Sequence, residues 1–375
     1  MNELSEIIRN NTMPPLEIGD ISVPVPIIQG GMGIGISMAG LASAVARSGG
    51  IGVIAAVMIG ITEPHWQQDP MGTTRTALAK QIALAKEQAK GGVIGVNIMV
   101  ALQDYDELVK IAADAGADLI ISGAGLPLKL PGLLPSGSTT NLAPIVSSGR
   151  AAQLICRRWK EHYSRLPDLI IVEGPEAGGH LGFKKDELNA PKNRLENLVT
   201  DVIQAVEPFT QFTRNGKPIP VVAAGGVYTG ADIYHFIHDI GAAGVQMATR
   251  FVATYECDAS DAFKEAYLKA RKEDITIIKS PVGLPGRALK GKFIEMMAEG
   301  KKRPFKCPNK CLAPCDYKTA PYCISTALIN AQRGNIDAGF VFCGSNVWRV
   351  DKIVHVHELI QELVDQYRAA EQANQ

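Results

Sequence analysis

The sequence predicts an α/β fold, a (β/α)8 TIM barrel with a smaller C-terminal lid segment, on the strength of three observations. Eight short apolar runs, rich in Val and Ile, alternate with helix-period stretches between residues 26 and 250. The runs are apolar throughout rather than alternating, as expected of strands buried on both faces. Several end in glycine or in one polar residue, at the place where this fold builds its active sites. A doubly wound sheet uses the same βα units and is the structural alternative. The count of eight disfavours it, and so does Gly31-Met-Gly-Ile-Gly35, which lacks the Gly-x-Gly-x-x-Gly spacing of a dinucleotide site.

Pro26 to Gly30 is the first strand, and the loop Gly30 to Gly35 leads into a small-residue helix from about Ser37 to Arg47, stopped by Gly49-Gly50. Ile51 to Ala56 is the second; a polar loop with His65 and Trp66 follows it, then a helix from about Thr74 to Lys90. Gly95 to Met99 is the third strand and carries one polar residue, Asn97. Leu119 to Gly123 and Pro144 to Ser148 are the fourth and fifth, with helices near 105–115 and 150–164. Leu169 to Gly174 is the sixth, and Pro220 to Gly226 and Gly244 to Arg250 complete the set around a helix near 230–240. Beyond it come a helix near 260–272, a loop from Ser280 to Ala288 too rich in Pro and Gly for helix, and a basic helical stretch over 288–303. An amphipathic helix from Val354 to Gln375 closes the chain. The expected division is a barrel over 1–270, a lid over 271–345 and a C-terminal helical segment over 346–375 that packs on the barrel.

At 375 residues the chain can bury a large core, and its 38 basic and 38 acidic residues leave no net field to attract nucleic acid or an anionic membrane. A small-molecule partner is expected. The first fifteen residues lack a signal-peptide core and no apolar stretch reaches spanning length, so a cytoplasmic protein is expected; a homodimer is compatible with the sequence.

Chemistry concentrates at residues 169–182, where the sixth strand breaks into glycines, two carboxylates and a histidine. Gly178 and Gly179 remove the Cβ atoms that would hold a ligand off the backbone, and His180 brings the side chain that titrates nearest neutrality. An isolated Gly-Gly-His is more often a turn; here it ends a barrel strand. Gly225 and Gly226 end the seventh strand, and Thr249 and Arg250 end the eighth with a hydroxyl and a cation, which suits a phosphomonoester. Asn97 and Gln29, polar at strand ends, suit the edge of a flavin ring or the backbone of the barrel mouth.

Five motifs in order, Gln29-Gly-Gly-Met, Gly95-Val-Asn-Ile-Met, Glu173-Gly-Pro-Glu-Ala-Gly-Gly-His, Ala223-Ala-Gly-Gly-Val and Gln246-Met-Ala-Thr-Arg-Phe, resemble those of the nitronate monooxygenase (2-nitropropane dioxygenase-like) family. They are equally similar to those of FMN-dependent enoyl-acyl-carrier-protein reductases, a branch that Gly123-Ala-Gly-Leu-Pro also resembles. The resemblance spans about residues 20–255 and implies bound FMN. It places Gly31 and Met32 at the isoalloxazine, Asn97 and Glu173 at its polar edges, and Gly178 and Gly179 along the cofactor. Gly225, Gly226 and Thr249 would hold the phosphate, with Gln246 and Met247 nearby, and His180 would be the catalytic residue. Position 248 is Ala where the family usually has Gly.

The implied activity is oxidation of alkyl nitronates such as propionate 3-nitronate with O2, His180 serving as general base or as proton-holding partner of the nitro oxygens. The alternative is reduction of an enoyl thioester by NAD(P)H through FMN. A flavin-free lyase or isomerase acting on a phosphorylated metabolite is the alternative of another class.

Seven cysteines, an odd count, argue against a secreted disulfide framework. Cys307, Cys311, Cys315 and Cys323 cluster with spacings x3, x3 and x7, which raises an iron–sulfur or zinc site against thiols lining the lid; no Cys-x-x-Cys is present. Cys156 and Cys257 read as packing residues. His235 and His238 share a helix face at i and i+3, but no acidic or thiol partner is placed clearly enough for a metal site, so they read as surface, as do His65, His162, His355 and His357.

Overall fold

The computed structural model describes residues 3–66, 68–214, 216–281, 283–301, 307 and 311–374. Helix α1 (Glu3–Asn10) precedes an antiparallel hairpin of β1 (Leu16–Ile18) and β2 (Ile21–Val23). Six parallel strands follow: β3 (Ile27–Gln29), β4 (Ile51–Ala55), β5 (Val93–Asn97), β6 (Leu119–Ser122), β7 (Asn141–Val146) and β8 (Ile170–Glu173). After the two-residue β9 (Gly179–His180) come β10 (Val221–Ala224) and β11 (Gly244–Met247). β8 pairs with β10, and β11 returns to β3, so eight strands close a parallel barrel with β9 left outside it. The helices between are α2 (Ala39–Arg47), α3 (Pro70–Ala89), α4 (Tyr105–Asp114), α5 (Gly149–Tyr163), α6 (Leu195–Val206), α7 (Gly230–Tyr234) and, after β11, the single turn α8 (Thr249–Val252).

The strand period of two sorts the core into layers. Leu169 and Ile171 face the barrel interior with Val53, Ile121 and Val222, whereas Ile170 and Val172 join the layer beneath the helices. The same alternation turns Glu173, Asn97 and Gln246 inward at the strand ends. Leu16, Ile18 and Val23 of the hairpin belong to the interior cluster and plug the barrel. Local signals set the helices: Asp69 caps α3 by accepting from the Gly72 N–H at 2.9 Å with Pro70 beside it, and Ser148 Oγ caps α5 from Ala151.

The C-terminal segment contains α9 (Asp261–Leu268), β12 (Ile275–Lys279), β13 (Pro285–Leu289), α10 (Lys292–Ala298), α11 (Ile324–Gln332) and α12 (Val356–Ala373). β12 and β13 form a hairpin, and β13 pairs antiparallel with β9, so Gly286 faces His180 and Arg287 faces Gly179. Residues 311–313 lie as a strap against the β5–α4 loop: Gln103 N–H donates to Cys311 O at 3.1 Å and Ala313 N–H to Ala101 O at 2.9 Å. α12 docks on α7, where Gly230 N–H donates to Gln366 Oε1 at 2.8 Å. No helix among the described residues is long and apolar enough to cross a membrane.

Several expectations are corrected. Residues 285–288, read as loop, and Leu289, read as the start of the basic helix, are a strand, because the edge of β9 supplies backbone partners that a Pro- and Gly-rich segment can use. The basic helix is confined to Lys292–Ala298; residues 302–303 of its expected span lie outside the described ones. The eighth barrel strand ends at Met247, and Thr249 and Arg250 belong to α8. The sequence reading assigned no hairpin β1–β2 and no helix α6.

Candidate active site

A cavity of about 710 Å3 opens at the C-terminal ends of the barrel strands, between them and the C-terminal segment. Gly31, Met32, Asn97, Glu173, Gly178 and Gly179 line it. So do His180, Gly225, Gly226, Gln246, Met247 and Thr249, which brings the candidate site residues of the barrel mouth other than Gln29 and Arg250 into a single chamber. Gln29 is spent elsewhere. Its Oε1 accepts from Val53 N–H at 3.0 Å and its Nε2 donates to Gly30 O, so both polar atoms are spent on barrel backbone. Arg250 is also displaced from its expected role: its guanidinium pairs with Glu362 at 3.0 Å and lies over the Tyr228 ring, fastening α12 instead of facing the cavity.

One side of the chamber is made of backbone. Gly225 and Gly226 have φ of +93° and +101°, a region that side chains rarely adopt, and a Cβ on Gly226 would come within 2.9 Å of Glu176 Oε2. A Cβ on Gly178 would come within 2.8 Å of the Cys343 carbonyl carbon. Thr249 stands beside Gly344, and Asn346 Nδ2 donates to Gly226 O at 2.7 Å while Ser345 Oγ donates to Glu176 Oε2 at 2.8 Å. Gly344, Ser345 and Asn346 thus complete the rim around Gly226 and Thr249; no motif in the sequence marked them, since they lie about a hundred residues beyond the glycines they touch. These backbone and hydroxyl donors can hold a phosphomonoester. Gln246 Oε1 is buried and has no hydrogen-bond partner among the described residues, an acceptor that suits a ring N–H of FMN. Glu173 is half-buried at the cavity floor, and burial pushes its carboxyl up to about 7.

The catalytic candidate is positioned by the other side. His180 sits on β9, held in the sheet by β13, and its Nε2 lies 2.7 Å from Ser280 Oγ at the end of β12. The Phe342 ring stands edge-on to the imidazole at a centroid distance of 5.1 Å. Burial lowers the histidine's pKa to about 4, so the ring is neutral at pH 7 and Ser280 biases its tautomer. Arg287, two residues along the strand from Pro285, sends its buried guanidinium to Pro175 O at 2.7 Å and to Ala177 O. It staples the loop that leads to His180. Ser280 and Arg287 fell in the stretch read as a Pro- and Gly-rich loop of the lid.

The iron–sulfur or zinc site that the cysteine clustering raised as an alternative to thiols lining the lid has no support among the described residues. Among the described residues no group of three or more His, Cys, Asp or Glu side chains is arranged to hold a metal ion, and none of the cysteines is in a disulfide. Cys311 Sγ lies 3.1 Å from Ser325 Oγ, and its thiol is pushed up by burial. Cys156 and Cys257 are buried packing residues, as expected.

Residues 16–366 match the family model described as nitronate monooxygenase. The chain belongs to the nitronate monooxygenase family. Membership makes it an FMN-dependent oxidoreductase. A probable nitronate monooxygenase of Staphylococcus aureus is 26% identical over 307 residues, 74% of this chain and 79% of that protein. A Mycobacterium tuberculosis (3aS,4S,5R,7aS)-5-hydroxy-7a-methyl-1-oxo-octahydro-1H-indene-4-carboxyl-CoA dehydrogenase is 27% identical over 282 residues, 75% of this chain and 68% of that one. In three dimensions the family member resembles FabK of Thermotoga maritima, with a TM-score of 0.72 and 25% identity over 100% of this chain and 98% of that one. It also shares its fold with a nitroalkane oxidase of Streptomyces ansochromogenes, with a TM-score of 0.72 and 20% identity over 94% of this chain and 98% of that one.

Proposed function

We propose that this protein is a cytoplasmic enzyme that oxidises alkyl nitronates with O2. The observation that carries the reading is His180: a neutral, half-buried imidazole held by Ser280 at the wall of a chamber whose opposite residues suit FMN. FMN, when bound, supplies the redox chemistry. Gly225, Gly226, Thr249 and the 344–346 turn would hold its phosphate, and Gln246 Oε1 would accept from its ring. Ser280 engages Nε2 and leaves Nδ1 for the substrate. A neutral imidazole can accept the proton of a nitroalkane carbon, or donate its N–H to the oxygens of a nitronate that has already lost it. The apolar surroundings that lower the histidine's pKa also exclude water from the reacting carbon.

The second reading, reduction of an enoyl thioester by NAD(P)H, draws on the likeness to FabK over the whole chain. One experiment separates them. Mixed anaerobically with NADH or NADPH, the yellow protein should stay oxidised, and aerobic addition of an alkyl nitronate should start O2 consumption. Rapid bleaching by either nucleotide, without nitronate turnover, would establish the reductase instead.

A further inference from the structure

The apolar part of the cavity extends well beyond what a nitro group needs, and the excess belongs to the C-terminal segment. Phe342, edge-on to His180, is followed by Phe340 with ring centroids 5.0 Å apart. Leu312 of the strap and Ile324 and Leu328 of α11 line the same cavity, and all three join Phe342 in one apolar cluster. Leu328 also touches a second cluster that contains Ile34, from the loop after β3, so the apolar surface passes without interruption from the segment to the barrel. It reaches solvent as well: Leu126 and Leu284 line the cavity and are 41% and 39% exposed.

Charge runs the other way. Among the described lining residues Glu173, Glu176 and Glu187 are carboxylates and Lys192 is the only cation, its ammonium 3.2 Å from Glu187 at the exposed edge. An anionic tail brought past the phenylalanines would lose its hydration without gaining a partner, whereas each methylene placed there leaves water. The wall is also fixed in place, because the strap hydrogen-bonds to residues 101 and 103 and Cys311 meets Ser325 of α11. A rigid apolar wall suits an unbranched chain that needs no rearrangement to be received.

We propose that Leu312, Ile324, Leu328 and Phe342 form a binding site for the alkyl chain of the substrate. The enzyme then prefers long-chain alkyl nitronates to compact or carboxylated ones such as propionate 3-nitronate. The choice of nitronate as reacting group rests on the function proposed above; the chain site does not.

Two measurements on the FMN-loaded enzyme keep these apart. Primary alkyl nitronates of about two to about ten carbons should show kcat/KM rising about 4-fold per methylene until the wall is covered. Propionate 3-nitronate should fall below the uncharged nitronate of equal length. Unreactive n-alkanols, titrated against the flavin absorbance, should bind with Kd falling by a similar factor per methylene. Length-dependent alkanol binding without turnover of any nitronate would leave the chain site standing and remove the nitronate reading. A Kd indifferent to length would overturn the site whatever the enzyme oxidises. Leu328→Asp should abolish the length dependence with flavin retained, and its persistence there would equally overturn the proposal. Should Leu328→Asp fail to fold, Leu328→Ala must still flatten the slope.

Discussion

Where the barrel strands end, the cavity is walled by backbone held in conformations that exclude side chains, as at Gly225 and Gly226 with φ of +93° and +101°. Where the C-terminal segment meets it, the wall is made of side chains, the Phe342 ring, Leu312 and Leu328, and the buried Ser280 hydroxyl engages the imidazole of His180. The two constructions tolerate change differently. A backbone wall fails when a Cβ appears, because neither φ nor the neighbouring loop can yield cheaply. A side-chain wall can be recut one residue at a time while the strands behind it stand. Retention of FMN is therefore expected to depend on the barrel rim and the 344–346 turn that completes it, and choice of substrate and of proton chemistry on the rest of the segment.

The harshest test of that contrast is Gly226→Val. A branched side chain at positive φ, aimed at Glu176, should eliminate flavin absorbance and with it all activity, while circular dichroism stays that of the apo protein. Full flavin content would show that the rim does not hold the cofactor. His180→Asn comes next: flavin stays bound, and kcat/KM on a neutral nitroalkane drops about 10²- to 10⁴-fold, the usual worth of general acid–base help. A preformed nitronate should lose less, because its proton is already gone. Equal losses on both would make His180 a charge-stabilising residue and not a base.

Ser280→Ala should cost about tenfold in kcat/KM, the order of one lost hydrogen bond to the imidazole, with flavin content unchanged. If that variant lost flavin instead, the two walls would not be separable. The smallest effect is on pH. Glu173 has a folded pKa of about 7, above the ordinary 4.5, so it holds a proton at pH 6 that is lost as pH rises through 7, leaving a buried charge against the cofactor. The Kd for FMN should accordingly rise about fourfold between pH 6 and pH 7.5, and Glu173→Gln should make it flat. A flat wild-type profile would place Glu173 away from the flavin.

The barrel was legible because all eight of its strands are apolar runs whose neighbours on both sides are apolar too, and the glycine-lined rim of the candidate site was legible with it, since its motifs lie at strand ends. Boundaries moved where register decides them: the third strand covers Val93–Asn97 instead of 95–99. Helix α6 was overlooked although Leu195, Leu198, Val199, Val202 and Val206 carry its period, because the Pro- and Lys-rich turn at 191–194 masks its start. The hairpin of β1 and β2 is too short for alternation to stand out, and its partner is the barrel interior. Gln29 illustrates the limit at the site: a polar residue at a strand end has the same sequence signature whether it meets a ligand or an adjacent N–H. Ser280 and Gly344 to Asn346 were invisible for another reason, since they owe their position to pairing across a hundred residues or more.

The pairing of β13 with β9 has a consequence for timing. Ser280 follows His180 by 100 residues, and a ribosome adding about 5–20 residues per second needs about 5–20 s to make that stretch. Strands β3 to β11 precede Ser280 in the chain, so the barrel's hydrogen-bonded ring can form on the nascent chain while the loop bearing the histidine still lacks both its hydroxyl partner and the Arg287 staple. A half-made molecule can thus own the barrel's share of the candidate flavin cradle while it lacks both the 344–346 turn that completes the rim and an aligned imidazole, and competence for chemistry arrives only as the last part of translation is folded down.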